Sequence, residues 1–110
     1  MAINKELLKG STVILVLTLL DHRDMYGYEI VKELGRQSDG VFDLKEGTLY
    51  PILHTLEGEQ WVHAYWQEHD GRKRKYYRIT EDGRRRLKEK KAEWVLFRTA
   101  VDGVIGEGGR

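Results

Sequence analysis

The chain of 110 residues has no cysteine and a single proline. Without thiols it can form no disulfide, no redox switch and no thiolate-bound zinc site. Long hydrophobic runs are also missing. The most apolar stretch, Val13-Ile-Leu-Val-Leu-Thr-Leu-Leu20, has eight residues, far short of the roughly 20 needed to cross a bilayer. It also lacks the small-residue cleavage site of a secretory signal. No membrane partner is expected, and the cytoplasm is the expected location. The histidines His22, His54, His63 and His69 share no i,i+4 spacing of a helical metal site. Ser11, Thr12 and Ser38 have no His or Asp partner at a recognisable spacing, and no glycine-rich phosphate loop occurs. No catalytic residue, metal or cofactor is therefore assigned, and an enzyme is not expected. The length fits one small domain with a modest core, for which oligomerisation is a natural source of further stability.

Net charge is close to absent as well, at +1, but only on average. Residues 71–91 hold eleven Lys/Arg and three Asp/Glu, a local charge of +8, while the other residues hold eight and fifteen, or −7. A basic block on an otherwise acidic chain points to a polyanionic partner. Residues 84–91 taken alone would equally suit a solvated helix face.

Hydrophobic periodicity predicts a helix over residues 4–21, capped by Asn4 and buried on more than one side. A second helix runs from Tyr26 to about Gln37, with Tyr28, Ile30, Val31 and Leu34 inward. Ser38-Asp-Gly40 closes it, and Val41–Leu44 is an edge strand or extended connector. In the third helix, at 46–57, Leu49, Ile52, Leu53 and Leu56 form one apolar stripe. Thr48 is its expected cap, which places Pro51 in the first turn, where a missing N–H costs nothing. The opposite arc carries Gly47, Tyr50, Pro51, His54, Thr55 and Gly58, a slim and mostly uncharged edge. Trp61–Glu68 and Lys75–Ile79 alternate as strands, joined by a hairpin loop at His69–Arg74 with Asp-Gly at its tip. Thr80-Glu-Asp opens a fourth helix that runs to about Val104. Along it Leu87, Trp94 and Val101 fall seven apart, as do Phe97 and Val104, a seam for another helix or its own copy.

This order predicts an α+β, mainly helical fold: a winged helix-turn-helix with an additional C-terminal dimerisation helix. Residues 1–80 would be the DNA-binding region. Residues 81–105 would be the dimerisation helix, packed with the first helix in one compact domain, and 106–110 a disordered tail. The third helix would enter the major groove, where base edges are distinguishable. The cationic hairpin would reach sugar–phosphate or an adjacent minor groove beside it, with Arg72, Lys73 and Arg74 closest to the tip.

Three motifs then carry a resemblance. Tyr26-Gly-Tyr-Glu-Ile30, Gly47-Thr-Leu-Tyr-Pro51 followed by Leu53, Leu56 and Glu57, and Arg72-Lys-Arg-Lys-Tyr-Tyr-Arg-Ile-Thr-Glu-Asp-Gly83 resemble the PadR family of bacterial transcriptional regulators. The likeness covers roughly residues 5–105. A single C-terminal helix resembles the small subfamily that includes multidrug-responsive repressors, whose dimers are held by their last and first helices. The resemblance implies that Tyr50 and its neighbours contact DNA, with the hairpin tip flanking it. It also implies that Trp94, within Ala92-Glu-Trp-Val95, stands where multidrug-binding relatives stack flat aromatic ligands near the dimer axis.

The expected function is a homodimeric, sequence-specific DNA-binding transcriptional regulator, a repressor released by a small hydrophobic or planar aromatic effector. The DNA contacts would come from Lys45, Thr48, Tyr50, Pro51, His54, Arg72, Lys73 and Arg74 on a pseudo-palindromic operator. The effector would meet Trp94, and the dimer would form through Leu87, Trp94, Phe97, Val101 and Val104. The alternative is a winged-helix module whose basic hairpin binds an acidic protein or RNA.

Overall fold

The computed structural model describes residues 5–106, with side chains from residue 10 onward. Helix α1 spans Lys5–His22, strand β1 Met25–Tyr26, helix α2 Gly27–Gln37 and helix α3 Glu46–Gly58. Strands β2, Val62–His69, and β3, Arg72–Ile79, form a hairpin before helix α4, Glu81–Ile105. The three strands are antiparallel in the order β1-β3-β2. This is the winged helix-turn-helix arrangement with a long helix following the wing. The expected cap Asn4 and residues 107–110 of the expected tail lie outside the described residues.

One core joins every element. Val16, Leu17 and Leu20 of α1 meet Ile30 and Leu34 of α2, Leu49, Leu53 and Leu56 of α3, and Tyr77 and Ile79 of β3. Burying one such aliphatic side chain contributes about 1.5–3 kcal/mol. The buried positions of α1 cover a wide arc, so that helix packs at once on α2, α4 and β3. The connector 41–44 forms no strand, and Leu44 is its anchor in the core.

Four local expectations need correction. Thr48 does not cap α3: the N-cap is Lys45, three residues earlier, in extended conformation. The Lys45 carbonyl accepts from the N–H groups of Thr48 and Leu49 at 3.0 and 2.9 Å. Pro51 is consequently in the second turn, where it leaves the Gly47 carbonyl without its usual intrahelical donor. Gly47 is exposed, so water can serve that carbonyl. Tyr28 points outward and is 50 % exposed; Gly27 takes the buried position at the start of α2. The hairpin turn is two residues, Asp70 and Gly71, with φ of 52° and 75°, as in a type I′ turn. Arg72, Lys73 and Arg74 therefore belong to strand β3 rather than to a loop. Strand β1, pairing Met25 with Tyr77 and Tyr26 with Tyr76, has no counterpart in the sequence reading.

Candidate nucleic-acid interface

Helix α3 turns its leucines into the core and leaves Gly47, Thr48, Tyr50, Pro51, His54, Thr55 and Gly58 exposed. The slim edge expected from the helical wheel is thus the solvent face. Tyr50 is its one large group, 45 % exposed. Its ring leans on Gly27 at the start of α2, so closely that a Cβ there would lie 2.5 Å from the phenol oxygen. The hydroxyl donates to the Glu46 carboxylate at 3.4 Å. Burial first, and then the neighbouring Glu46 charge, hold the phenol above its ordinary value. Tyr50 thus presents a neutral hydroxyl at physiological pH. Lys45, at the start of this edge, is exposed and pairs with Asp43 at 3.3 Å.

The wing sorts its cations by strand alternation. Lys73, Lys75, Tyr77 and Ile79 share one face of the hairpin with their cross-strand partners Glu68, Trp66, Ala64 and Val62. Arg72, Arg74, Tyr76 and Arg78 share the other. The three residues nearest the tip are not equivalent. Among the described residues Arg72 and Lys73 have no ion-pair partner. Arg74 is engaged within the chain: it donates to the Tyr26 hydroxyl at 2.8 Å, and its guanidinium lies 4.5 Å from that ring centre. Arg74 thereby ties the wing to the N-cap of α2.

Asp24, between α1 and β1, is a second tie that the sequence reading missed. Its carboxylate accepts from the Tyr65 hydroxyl at 2.5 Å and from Arg78 Nε at 3.1 Å. Tyr65 stacks on Tyr76, with centres 5.8 Å apart, and Tyr76 meets Tyr26 edge-on at 5.4 Å. Strand alternation sets Tyr65 on the face opposite Val62 and Ala64. Only the register across β3 reveals that three tyrosines form one row. The wing is therefore held at a fixed angle to the helices by charge-assisted bonds and ring contacts.

Helix α4 changes character along its length. At its start the Thr80 hydroxyl accepts from Gly83 N–H at 2.9 Å, the cap expected from sequence. Arg84 pairs with Asp21 of α1 at 3.0 Å. Arg86 and Lys90 lie over the Trp61 ring, both 5.6 Å from its centre. Leu87, expected on an intermolecular seam, is instead buried in the chain's own core, with 3 % exposed. Its neighbours one and two heptads on are uncovered. Trp94, Phe97, Val101 and Val104 are all exposed, and Trp94 stacks on Phe97 at 6.0 Å. Leu96 and Ile105, absent from the expected seam, are exposed as well.

Residues 16–89 match the model of the transcriptional regulator PadR-like family. The chain belongs to that family. The PadR-like span begins at Val16 in α1 and closes at Glu89 in α4, so it takes in the exposed edge of α3 and the whole wing but stops before Trp94. Solved structures extend further. A transcriptional regulator from Clostridium thermocellum superposes with a TM-score of 0.84 at 33 % identity, over 90 % of this chain and 97 % of its own. A PadR family regulator from Eggerthella lenta gives 0.81 at 34 % identity, over 91 % and 86 %. Among curated relatives, a transcriptional regulator of Mycobacterium tuberculosis is 36 % identical over 76 residues, 66 % of this chain and 68 % of that protein. As a PadR-like transcriptional regulator the chain acts on DNA, and no helix among its described residues is long and apolar enough to cross a membrane.

Proposed function

We propose that the protein is a homodimeric repressor that reads a pseudo-palindromic operator with the outer edge of α3 and is released by a planar aromatic effector. The observation that carries this reading is the uncharged, exposed arc of Thr48, Tyr50, Pro51 and His54 beside a wing whose Arg72 and Lys73 are unpaired among the described residues. A helix with few bulky groups on its outer edge fits the major groove, and cations beside it reach phosphate. Lys45 adds a phosphate contact at the N-terminal end of α3, where the helix dipole also favours anions. Arg74 instead ties the wing to Tyr26.

Dimerisation is assigned to the far half of α4. Trp94, Phe97, Val101 and Val104 leave an exposed apolar strip along α4, and contiguous exposed apolar surface marks interaction sites. A two-fold axis there would bring the two Trp94 indoles together, and flat aromatic molecules stack between such faces. The effector would prefer one inter-subunit geometry and shift the population away from the DNA-bound one.

The test is a salt titration of the protein against a duplex selected from a random pool and against a scrambled duplex. A preference of at least about 10³-fold for the selected duplex at physiological salt is expected. Equal affinity for both would reject the reading and favour a basic module for RNA or an acidic protein.

A further inference from the structure

Trp66 is 66 % exposed although it sits on the same hairpin face as the buried Tyr77. That face is buried at Val62, Tyr77 and Ile79 and emerges into solvent further toward the tip. Trp66 and its cross-strand partner Lys75 occupy the emerging part. Together with Tyr26, Tyr50, Lys73, Arg74 and Tyr77 they wall an open slot between α3 and the wing. Its lining is aromatic rings and cations, with no carboxylate. Lys75 contacts Glu57 at 3.7 Å, but both side chains are more than a third exposed, and such a pair is readily exchanged for a stronger anion. Glu68, opposite Lys73 in register, forms no ion pair with it.

We propose that this slot seats the sugar–phosphate backbone of the DNA strand bordering the groove entered by α3, with Trp66 packing on deoxyribose and Lys73 and Lys75 holding phosphate. The inference rests on the DNA-reading assignment of α3 and extends it. The backbone of DNA alternates apolar sugar with anionic phosphate, and the slot alternates aromatic wall with cation. Tyr50 belongs to both surfaces, so the slot is continuous with the reader edge. The seat also gives the exposed indole a reason: an aromatic face left in water becomes covered only when the strand is in place. Trp66 thereby fixes where the wing rests along the duplex, while the tip cations supply sequence-independent attraction.

The experiment measures full-chain binding to the selected duplex and to a scrambled one at several salt concentrations. For Trp66→Ala, both affinities should fall by on the order of tenfold, as expected for losing some tens of Å² of apolar contact. The salt slope should not change, because an indole releases no counterion. Trp66→Phe should recover most of the loss. Lys73→Gln and Lys75→Gln should each reduce the slope by about 0.9. Wild-type binding by Trp66→Ala overturns the seat, as does a lysine variant with an unchanged slope. Competition by polyglutamate as strong as that by scrambled duplex also overturns it, since the slot would then take an acidic chain. Tyr50→Ala separates the two layers. If it loses discrimination between duplexes while Trp66→Ala binds normally, the seat fails and the reader assignment stands. If Tyr50→Ala also binds normally, the reader assignment fails with it.

Discussion

Tyr50 and Gly27 form a pair in which one residue's absence of a side chain shapes the other's position. The phenol end of Tyr50 occupies the space a methyl group on Gly27 would need. Because that end is a movable side-chain terminus, Gly27→Ala is expected to keep the fold and swing the ring away. Operator affinity should then fall by about 1–3 kcal/mol, as for Tyr50→Ala, with little change in melting temperature. Normal operator binding by Gly27→Ala would mean that the ring's resting place is irrelevant to reading. Arg72 and Arg74 make a second contrast. Arg72→Ala should leave stability unchanged and lower the salt slope of binding to any duplex by about 0.9. Arg74→Ala removes a hydrogen bond and a ring contact to Tyr26, and should cost about 1–2 kcal/mol of folding stability. Denaturant unfolding of the two variants beside their salt titrations checks the split. Equal effects on stability would refute it.

At the scale of elements, the start of α4 is the most sharply specified junction. The Thr80 hydroxyl accepts from Gly83 N–H and donates to the Gln60 carbonyl at 2.8 Å. Thr80→Ala should cost about 1 kcal/mol. Gly83→Ala tests the packing more severely, since helix propensity alone would make alanine favourable by about 1 kcal/mol. A Cβ at position 83 would lie 2.1 Å from the Trp61 carbonyl oxygen, which is backbone and already accepts the Thr80 N–H. Net destabilisation of about 1–3 kcal/mol is therefore expected, and a stabilised variant in thermal unfolding would contradict the close approach. This junction was legible in the sequence because Thr-Glu-Asp is a local signal. The start of α3 was not: Thr48 offers a capping hydroxyl, yet the chain turns helical earlier, at an extended Lys45 fixed by Leu44 in the core. Tyr28 misled through its apolar ring. Helical spacing puts Gly27, not Tyr28, near Ile30 and Leu34. Strand β1 could not be read locally, since two residues become a strand only by pairing with β3. The exposed edge of α3 was legible because one helix's periodicity determines it. The ties of Arg74 to Tyr26 and of Asp24 to Tyr65 and Arg78 cross 40 or more positions and needed the fold.

For the whole molecule, one stripe of α4 meets two environments, core at Leu87 and solvent at Trp94. Seven-residue spacing groups Leu87 with Trp94, but α1 packs over the first and leaves the second uncovered. Sequence periodicity alone could not locate that handover. Sedimentation at micromolar concentration should give a dimer, and Val101→Glu together with Phe97→Glu should give a folded monomer with weakened operator binding. A wild-type monomer would remove the two-fold operator and the Trp94 site together. Planar aromatic compounds should quench tryptophan fluorescence, and the quenching should disappear in Trp94→Ala. Trp61 and Trp66 remain as internal controls.

The handover has a mechanical consequence. Leu87 is the last α4 residue held in the core, and Ile105 lies 18 residues beyond it (105 − 87). At 1.5 Å per residue that overhang is about 27 Å long. A tilt of about 10° at its root carries its end through about 5 Å, whereas a side-chain hydrogen bond tolerates a few tenths of an ångström. The overhang is thus an amplifier of angle. Spin labels near its end should reveal such a swing long before any change is visible within the wing or the helices that α1 holds together.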